Sequence, residues 1–302
     1  MVESAVYHEL DRLAPGRVRA GESMGNHTSW RIGGPAELFI EPGNNTELAR
    51  VIVYANNQGI PVLVIGAGSN LLVSDAGVKG IVVKLGKNMA QITCQDNEIK
   101  AEAGAKLSAV GAAAKEAGLG GFEFSAGIPG AIGGAIFMNA GAGGANIGGL
   151  VKRVLLIGPT GEVYARNGNE LEFGYRESIL QRKPAIVAEA TFTCYPKLKS
   201  QIQAETDGYI KKRKSSQPLQ YPSAGSVFKN PPGDSAGRLI EAAGLKGLRA
   251  GDAQVSALHA NFIINLGRAT ARDVTELMAR IEVEVQRRFD VVLKPEIKLI
   301  GF

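Results

Sequence analysis

Five consecutive residues, Gly66-Ala67-Gly68-Ser69-Asn70, have the composition of an anion cradle. Glycines let successive backbone N–H groups converge on one negative charge, and Ser69 and Asn70 add side-chain donors. The stretch opens like a dinucleotide-binding fingerprint. However, Leu71 stands where the third glycine belongs, and "LLV" continues as a strand instead of opening a helix. A Rossmann domain is therefore disfavoured. Two readings stay open on these residues: a phosphate-binding turn between strands, and a plain tight hairpin.

A second stretch is defined by what it lacks. From Ser125 to Val151 there is no Asp, Glu, Lys or Arg, and Gly127, Gly130, Gly133, Gly134, Gly141, Gly143, Gly144, Gly148 and Gly149 all fall inside it. Pro129, Asn139, Asn146 and the glycines would be costly in lipid. The segment reads as buried loop and short helix beside a ligand. Other chemistry-bearing residues are scattered. Arg176 in "GYRES" carries a rigid fork that suits a planar carboxylate, or ties a loop to the surface. Ser226 in "AGSVFKNP" reads by itself as a turn residue, and Glu296 in "KPEI" as plain surface.

The remaining inventory mostly excludes. Three histidines (His8, His27, His259) with no HExxH pattern argue against a metal, and His259 reads as a core group. Cys94 and Cys194 form no CxxC, which fits a reduced intracellular protein. The net charge of +5 on 302 residues is mild, and the one dense basic run, Lys211 to Lys214, reads as a solvated helix end. Nucleic-acid binding is not expected. "MVESAVYHELDRLAPGRV" lacks the apolar core of a signal peptide, and no membrane insertion is expected.

The elements that must position these residues alternate in type. "NTELARVIVYANNQG" sets Leu48, Val51, Ile52 and Ala55 on one helical face, and "IPVLVIG" follows as a buried strand. "IVVKL" and "EIKAEAG" read as strands, and "KLSAVGAAAKEAGLGG" as a helix stopped at Gly118. "VKRVLLIGPTGEVYAR" reads as a hairpin turning at Pro159-Thr160-Gly161, and "AIVAEATFTCY" as a strand. After a polar helix comes the long Pro/Gly/Ser loop "QPLQYPSAGSVFKNPPGDSAG". The C-terminal part holds a helix at "AGRLIEAAG", a strand at "NFIINL" and a last helix capped by Thr270 and Asp273. The fold class is α+β.

Four blocks go beyond generic pattern: "RIGGPAELF", "GAGSNLLVSDAGVKGIVV", "AGIPGAIGGAIFMNAGA" and "YPSAGSVFKNPPGDSAGRLIEAAGLKG". With "GYRES", "VSALHANFIINLG" and "KPEI", in this order and spacing, the chain closely resembles the UDP-N-acetylenolpyruvoylglucosamine reductase family, in its shorter subclass without the substrate-covering insertion. The resemblance implies an FAD-binding domain of vanillyl-alcohol-oxidase type in two α+β subdomains, 1–85 and 86–200, plus a smaller α+β substrate-binding domain, 201–302. It implies non-covalent FAD held by Gly66, Ala67, Gly68, Ser69, Asn70, Leu71, Pro129, Gly130, Gly133, Gly134 and Asn139. NADPH is the implied co-substrate. The implied reaction reduces UDP-N-acetylglucosamine enolpyruvate to UDP-N-acetylmuramate, in the bacterial cytoplasm, by a monomer.

Arg176 matches the family's carboxylate-polarising arginine, Ser226 its proton donor and Glu296 its acidic partner. Lys229 and Asn230, just past Ser226, are expected to meet substrate phosphate or sugar, and Tyr175 the nucleotide sugar; no metal is implied. One departure stands out: Gly143 occupies a position where the family often carries an aromatic residue. The rival reading is another FAD-dependent sugar or hydroxy-acid oxidase of the same superfamily.

Overall fold

The computed structural model describes residues 4–302; Met1, Val2 and Glu3, with which the signal-peptide reading and the first domain begin, lie outside the described residues. Its α-helices are α1 (Ser4–Leu13), α2 (Asn45–Asn57), α3 (Leu107–Glu116), α4 (Ile132–Phe137), α5 (Lys199–Ser216), α6 (Ala236–Ala242) and α7 (Ala271–Phe289). The chain divides into two compact units, each assembled from separate stretches. Unit 1 takes the described part of Met1–Ala20 with Glu37–Ala67 and Gly80–Lys212. Unit 2 takes Gly21–Ala36, Gly68–Lys79 and Arg213–Phe302.

Two sheets supply most of the strands of unit 1, the first of them with strand ends (Gly21–Ser23, Pro35–Ala36, Val78–Lys79) that count with unit 2. In the first, the order is Val18–Ser23, Pro35–Ile40, Val78–Lys84, Val62–Ile65, with the last two parallel and Val62 opposite Ile81. The second runs Val163–Asn167, Val151–Ile157, Ile186–Thr193, Glu98–Glu102, Ile92–Gln95, antiparallel throughout. The expected hairpin is there, Ile157 opposite Val163. α2 forms where its period requires: Asn44 caps it by accepting from the Glu47 N–H at 2.9 Å. Its stripe of Leu48, Val51, Ile52 and Ala55 is buried in one core with Ile81, Val83, Leu156 and Phe192. Each of these side chains larger than alanine contributes about 1.5–3 kcal/mol through burial.

The charge-free stretch folds into loop and short helix, but the loop is not buried as expected: Gly127, Pro129, Gly143 to Asn146 and Gly149 are exposed, since turns and a two-residue hairpin leave their backbone facing outward. α4 lies on the strands Ile186–Thr193 and Glu98–Glu102, and a small hairpin of Gly141–Ala142 with Ala145–Asn146 follows it. No helix among the described residues is long and apolar enough to cross a membrane.

Unit 2 has its own core. Arg249–Ala250, Ala253–Val255 and Ile263–Asn265 form an antiparallel sheet beneath α7. The α7 stripe of Val274, Leu277, Met278, Ile281 and Val285 is buried in it. Thr270 and Asp273 make the reciprocal cap. Trp30 is fully buried, and its Nε1 donates to the Ile263 carbonyl at 2.8 Å. The strand Lys298–Ile300 runs parallel to Leu71–Val73.

Candidate functional site

The sequence-predicted residues fall into two sets. Gly66, Ala67, Pro129, Gly130, Gly133, Gly134, Asn139, Tyr175 and Arg176 belong to unit 1; Gly68, Ser69, Asn70, Leu71, Ser226, Lys229, Asn230 and Glu296 belong to unit 2.

In unit 1 the charge-free segment and the arginine turn are tied together. Gly174 and Glu177 pair as an isolated antiparallel bridge, which leaves Tyr175 and Arg176 as a two-residue turn. Arg176 sits at φ +58, a left-handed conformation that costs a non-glycine residue about 1 kcal/mol. Its Nη1 donates to the Gly141 carbonyl at 3.2 Å, and its guanidinium lies 5.6 Å from the Tyr175 ring centre. Asn139 braces the same turn. Its Nδ2 donates to the Gly174 carbonyl at 2.8 Å, while its Oδ1 accepts from Gly148 N–H at 3.0 Å. Ser178 and Gln181 both donate to the Phe137 carbonyl at the end of α4, and Gln181 donates also to the Arg176 carbonyl. Strain held by this many contacts is typical of a functional position.

The glycines of the segment differ in what they avoid. A Cβ on Gly66 would stand 3.0 Å from the Ala131 Cβ, so these two loops approach as closely as side chains permit. Gly133 faces Ala103. Gly134 has nothing within 4 Å of its missing Cβ and is exposed. It is helical, where glycine costs about 0.5–1 kcal/mol against alanine. The chain's own packing therefore gives no reason for glycine there; a flat ligand surface laid against α4 does. FAD fits these residues on that ground and because residues 125–151 carry no carboxylate to repel its phosphates.

In unit 2 three predicted residues share one hydrogen-bonded array. Glu296 N–H donates to the Val227 carbonyl at 2.7 Å, next in chain to Ser226. Asn70 Nδ2 donates to the Glu296 carbonyl at 3.1 Å, and Lys298 N–H donates to the Asn70 carbonyl at 2.9 Å. Lys229 N–H donates to Lys294 O, and Phe228 bridges Pro295. The long loop is thus pinned against 294–298, and Ser226 and Glu296 lie on the two adjoining segments, next to the bridge between Phe228 and Pro295. Asn230 Oδ1 accepts from Ala236 N–H at the start of α6. Gly68 lies at φ +63, and a Cβ there would be 1.9 Å from the His27 carbonyl oxygen.

Two residues escaped the sequence reading. In the run Lys211–Lys214 the three lysines are exposed, as a solvated helix end requires, but Arg213 is half-buried and its Nε has no hydrogen-bond partner among the described residues. Burial pushes its pKa down. A donor left buried and unpaired is costly, and an anion would satisfy it. The dense charge run hid it. Asn261 is buried and bonds the loop beside Ser226; the polar residue opening the apolar run "NFII" was its only signal. His259, expected in the core, is only half-buried at its edge; burial lowers its pKa, and its Nδ1 accepts from Asn261 N–H. No cluster of metal-ligating side chains occurs among the described residues.

The family model described as "UDP-N-acetylenolpyruvoylglucosamine reductase, C-terminal domain" matches residues 217–300, and "FAD binding domain" matches 36–165. A UDP-N-acetylenolpyruvoylglucosamine reductase of Desulforamulus reducens is 45% identical over 301 residues, covering 100% of this chain and 99% of its own. The crystal structure of such a reductase from Thermus caldophilus superposes with TM-score 0.82 at 37% identity, over 94% of this chain and 99% of that one. A berberine bridge enzyme structure, 16% identical with TM-score 0.50 over 65% of this chain and 44% of its own, shares the fold alone.

Proposed function

The chain belongs to the UDP-N-acetylenolpyruvoylglucosamine reductase family, an FAD-containing oxidoreductase acting in peptidoglycan precursor synthesis, and on that premise we propose how its own residues carry the reaction. The substrate is UDP-N-acetylglucosamine enolpyruvate and the product UDP-N-acetylmuramate. FAD, when bound, supplies hydride transfer, with NADPH as the hydride source. Gly66, Ala67, Gly68, Ser69, Asn70, Leu71, Pro129, Gly130, Gly133, Gly134 and Asn139 are the residues that would hold it, by close approach and, except at Pro129, through backbone N–H groups.

Hydride addition at the enolpyruvyl methylene carbon drives negative charge onto the carboxylate. Arg176 binds that carboxylate with its fork and stabilises the developing charge. Ser226 Oγ gives a proton to the neighbouring carbon, and Glu296 helps to polarise the substrate. Lys229, Asn230 and Tyr175 bind the nucleotide-sugar portion. The protein works in the cytoplasm as a monomer. The FAD-binding part divides as 1–85 and 86–200, with 201–302 receiving substrate.

The observation that carries the proton-donor assignment is the bond from Glu296 N–H to Val227 O, which holds Ser226 and Glu296 in fixed register. Stopped-flow absorbance tests it by separating the halves of the reaction. Ser226→Ala is expected to leave bleaching by NADPH within twofold of wild type. Recovery of colour with substrate should slow about 10²–10⁴-fold, the usual loss of a general acid. Recovery at the wild-type rate removes Ser226 from the chemistry. Rapid recovery with oxygen alone would favour the oxidase reading instead.

A further inference from the structure

Asn261 makes bonds that a side chain seldom makes. Its Oδ1 accepts from Phe228 N–H at 2.9 Å, and its Nδ2 donates to the Phe228 carbonyl at 2.8 Å. Its own carbonyl accepts from Val227 N–H at 2.8 Å. One residue therefore engages both backbone groups of Phe228 and one of Val227, as a full strand partner would. On the opposite side of the loop, Val227 O accepts from Glu296 N–H, and Lys229 N–H donates to Lys294 O. Asn261 is 3% exposed and Phe228 1%, so water cannot replace these bonds without opening the unit 2 core.

We infer that Asn261 is the positioning residue that sets Ser226 against Glu296. Segment 227–229 is irregular apart from the single bridge of Phe228 to Pro295: Asn261 grips it from one side and 294–296 from the other. A fixed slot is needed because a proton donor shifted by about 1 Å can lose about 100-fold in rate. The amide is the one short side chain that presents an acceptor and a donor side by side to a peptide unit. Aspartate has the same shape but, when ionised, has no donor for the Phe228 carbonyl and sets charge against it. Protonated aspartic acid regains that donor. The inference rests on the proton-donor reading of Ser226 given above.

The test uses the full chain loaded with FAD, in both half-reactions. Asn261→Ala and Asn261→Asp are expected to bleach with NADPH within twofold of wild type and to recover colour with UDP-N-acetylglucosamine enolpyruvate at least tenfold more slowly. In Asn261→Asp the recovery rate, corrected for the wild-type profile, should rise as pH falls and the carboxyl protonates. In the Ser226→Ala background, Asn261→Ala should add little further loss, because its effect passes through Ser226. Losses that multiply in the double variant, or that fall equally on both half-reactions, overturn the inference. If Asn261→Ala cannot be purified folded, Asn261→Asp decides alone: a recovery rate without the acid-side rise counts against it. A wild-type rate for Ser226→Ala defeats the underlying reading instead, and the two failures are told apart by that single variant.

Discussion

Tyr209 of α5 lies against the tip of the 141–146 hairpin, where a Cβ on Gly143 would stand 2.8 Å from the tyrosine Cε1. Gly143 is also left-handed, at φ +61. A large side chain at this position is thus excluded while the Tyr209 ring fills the space beside it. Gly143→Tyr should destabilise by about 1–3 kcal/mol, as overpacking does, and lower the thermal midpoint. Adding Tyr209→Ala should recover part of that loss, less the left-handed strain that remains. Additive effects in the double variant would mean that the two positions do not compete for one space.

Gly134 and Gly68 answer different demands, and alanine separates them. Gly134→Ala should raise the stability of the flavin-free protein by about 0.5–1 kcal/mol, through helix propensity, and weaken FAD binding. Gly68→Ala drives a Cβ into the His27 carbonyl at a left-handed φ, so it should destabilise unit 2 with or without flavin. Equilibrium unfolding and flavin fluorescence titration measure the two effects. Unchanged FAD affinity in Gly134→Ala would leave the open face of α4 without its ligand.

Arg176 trades stability for position. Arg176→Gly relieves about 1 kcal/mol of left-handed strain at the cost of the bond to the Gly141 carbonyl. Its thermal midpoint should stay near wild type, while substrate-driven colour recovery falls about 10²–10³-fold. Arg176→Lys keeps the charge but not the fork and should recover only a small part. A well-folded Arg176→Gly with normal turnover would reduce the arginine to a loop tie.

Lys197 holds two carboxylates, Glu123 Oε1 at 2.9 Å and Glu205 Oε1 at 2.7 Å, and the Lys197 and Glu123 side chains are only 14% and 6% exposed. Burial pushes the Glu123 carboxyl up. Hydrogen bonds from its own N–H, Lys197 and Gly121 N–H outweigh that, and its pKa lies below the ordinary 4.5. The stabilisation is therefore complete above the ordinary carboxylate range and is lost as pH falls through the depressed value. Lys197→Met should cost about 1–3 kcal/mol at neutral pH by leaving Glu123 buried with its two N–H donors but without its cation. The gap to wild type should narrow in acid, where Glu123 is neutral. Thermal unfolding across that range checks both signs; a gap that widens in acid contradicts the pairing.

What the sequence determined by itself was local. The cap and stripe of α7, the face of α2 and the turn at Pro159-Thr160-Gly161 are written in residues a few positions apart, because helix and hairpin periods are short-range. The ordered blocks likewise carried the family, since motif spacing survives without knowledge of contacts. What the sequence could not carry was which partner each residue would meet. Asn261 meets Phe228 across 33 positions, Arg176 meets Gly141 across 35, and Asn70 meets Glu296 across 226. Only folding brings such pairs together, since the free energy that forms them comes from burying cores assembled from distant segments. The same holds for Arg213, read as solvent-facing until the fold buried its Nε, and for Gly134, whose open surroundings exist only in three dimensions.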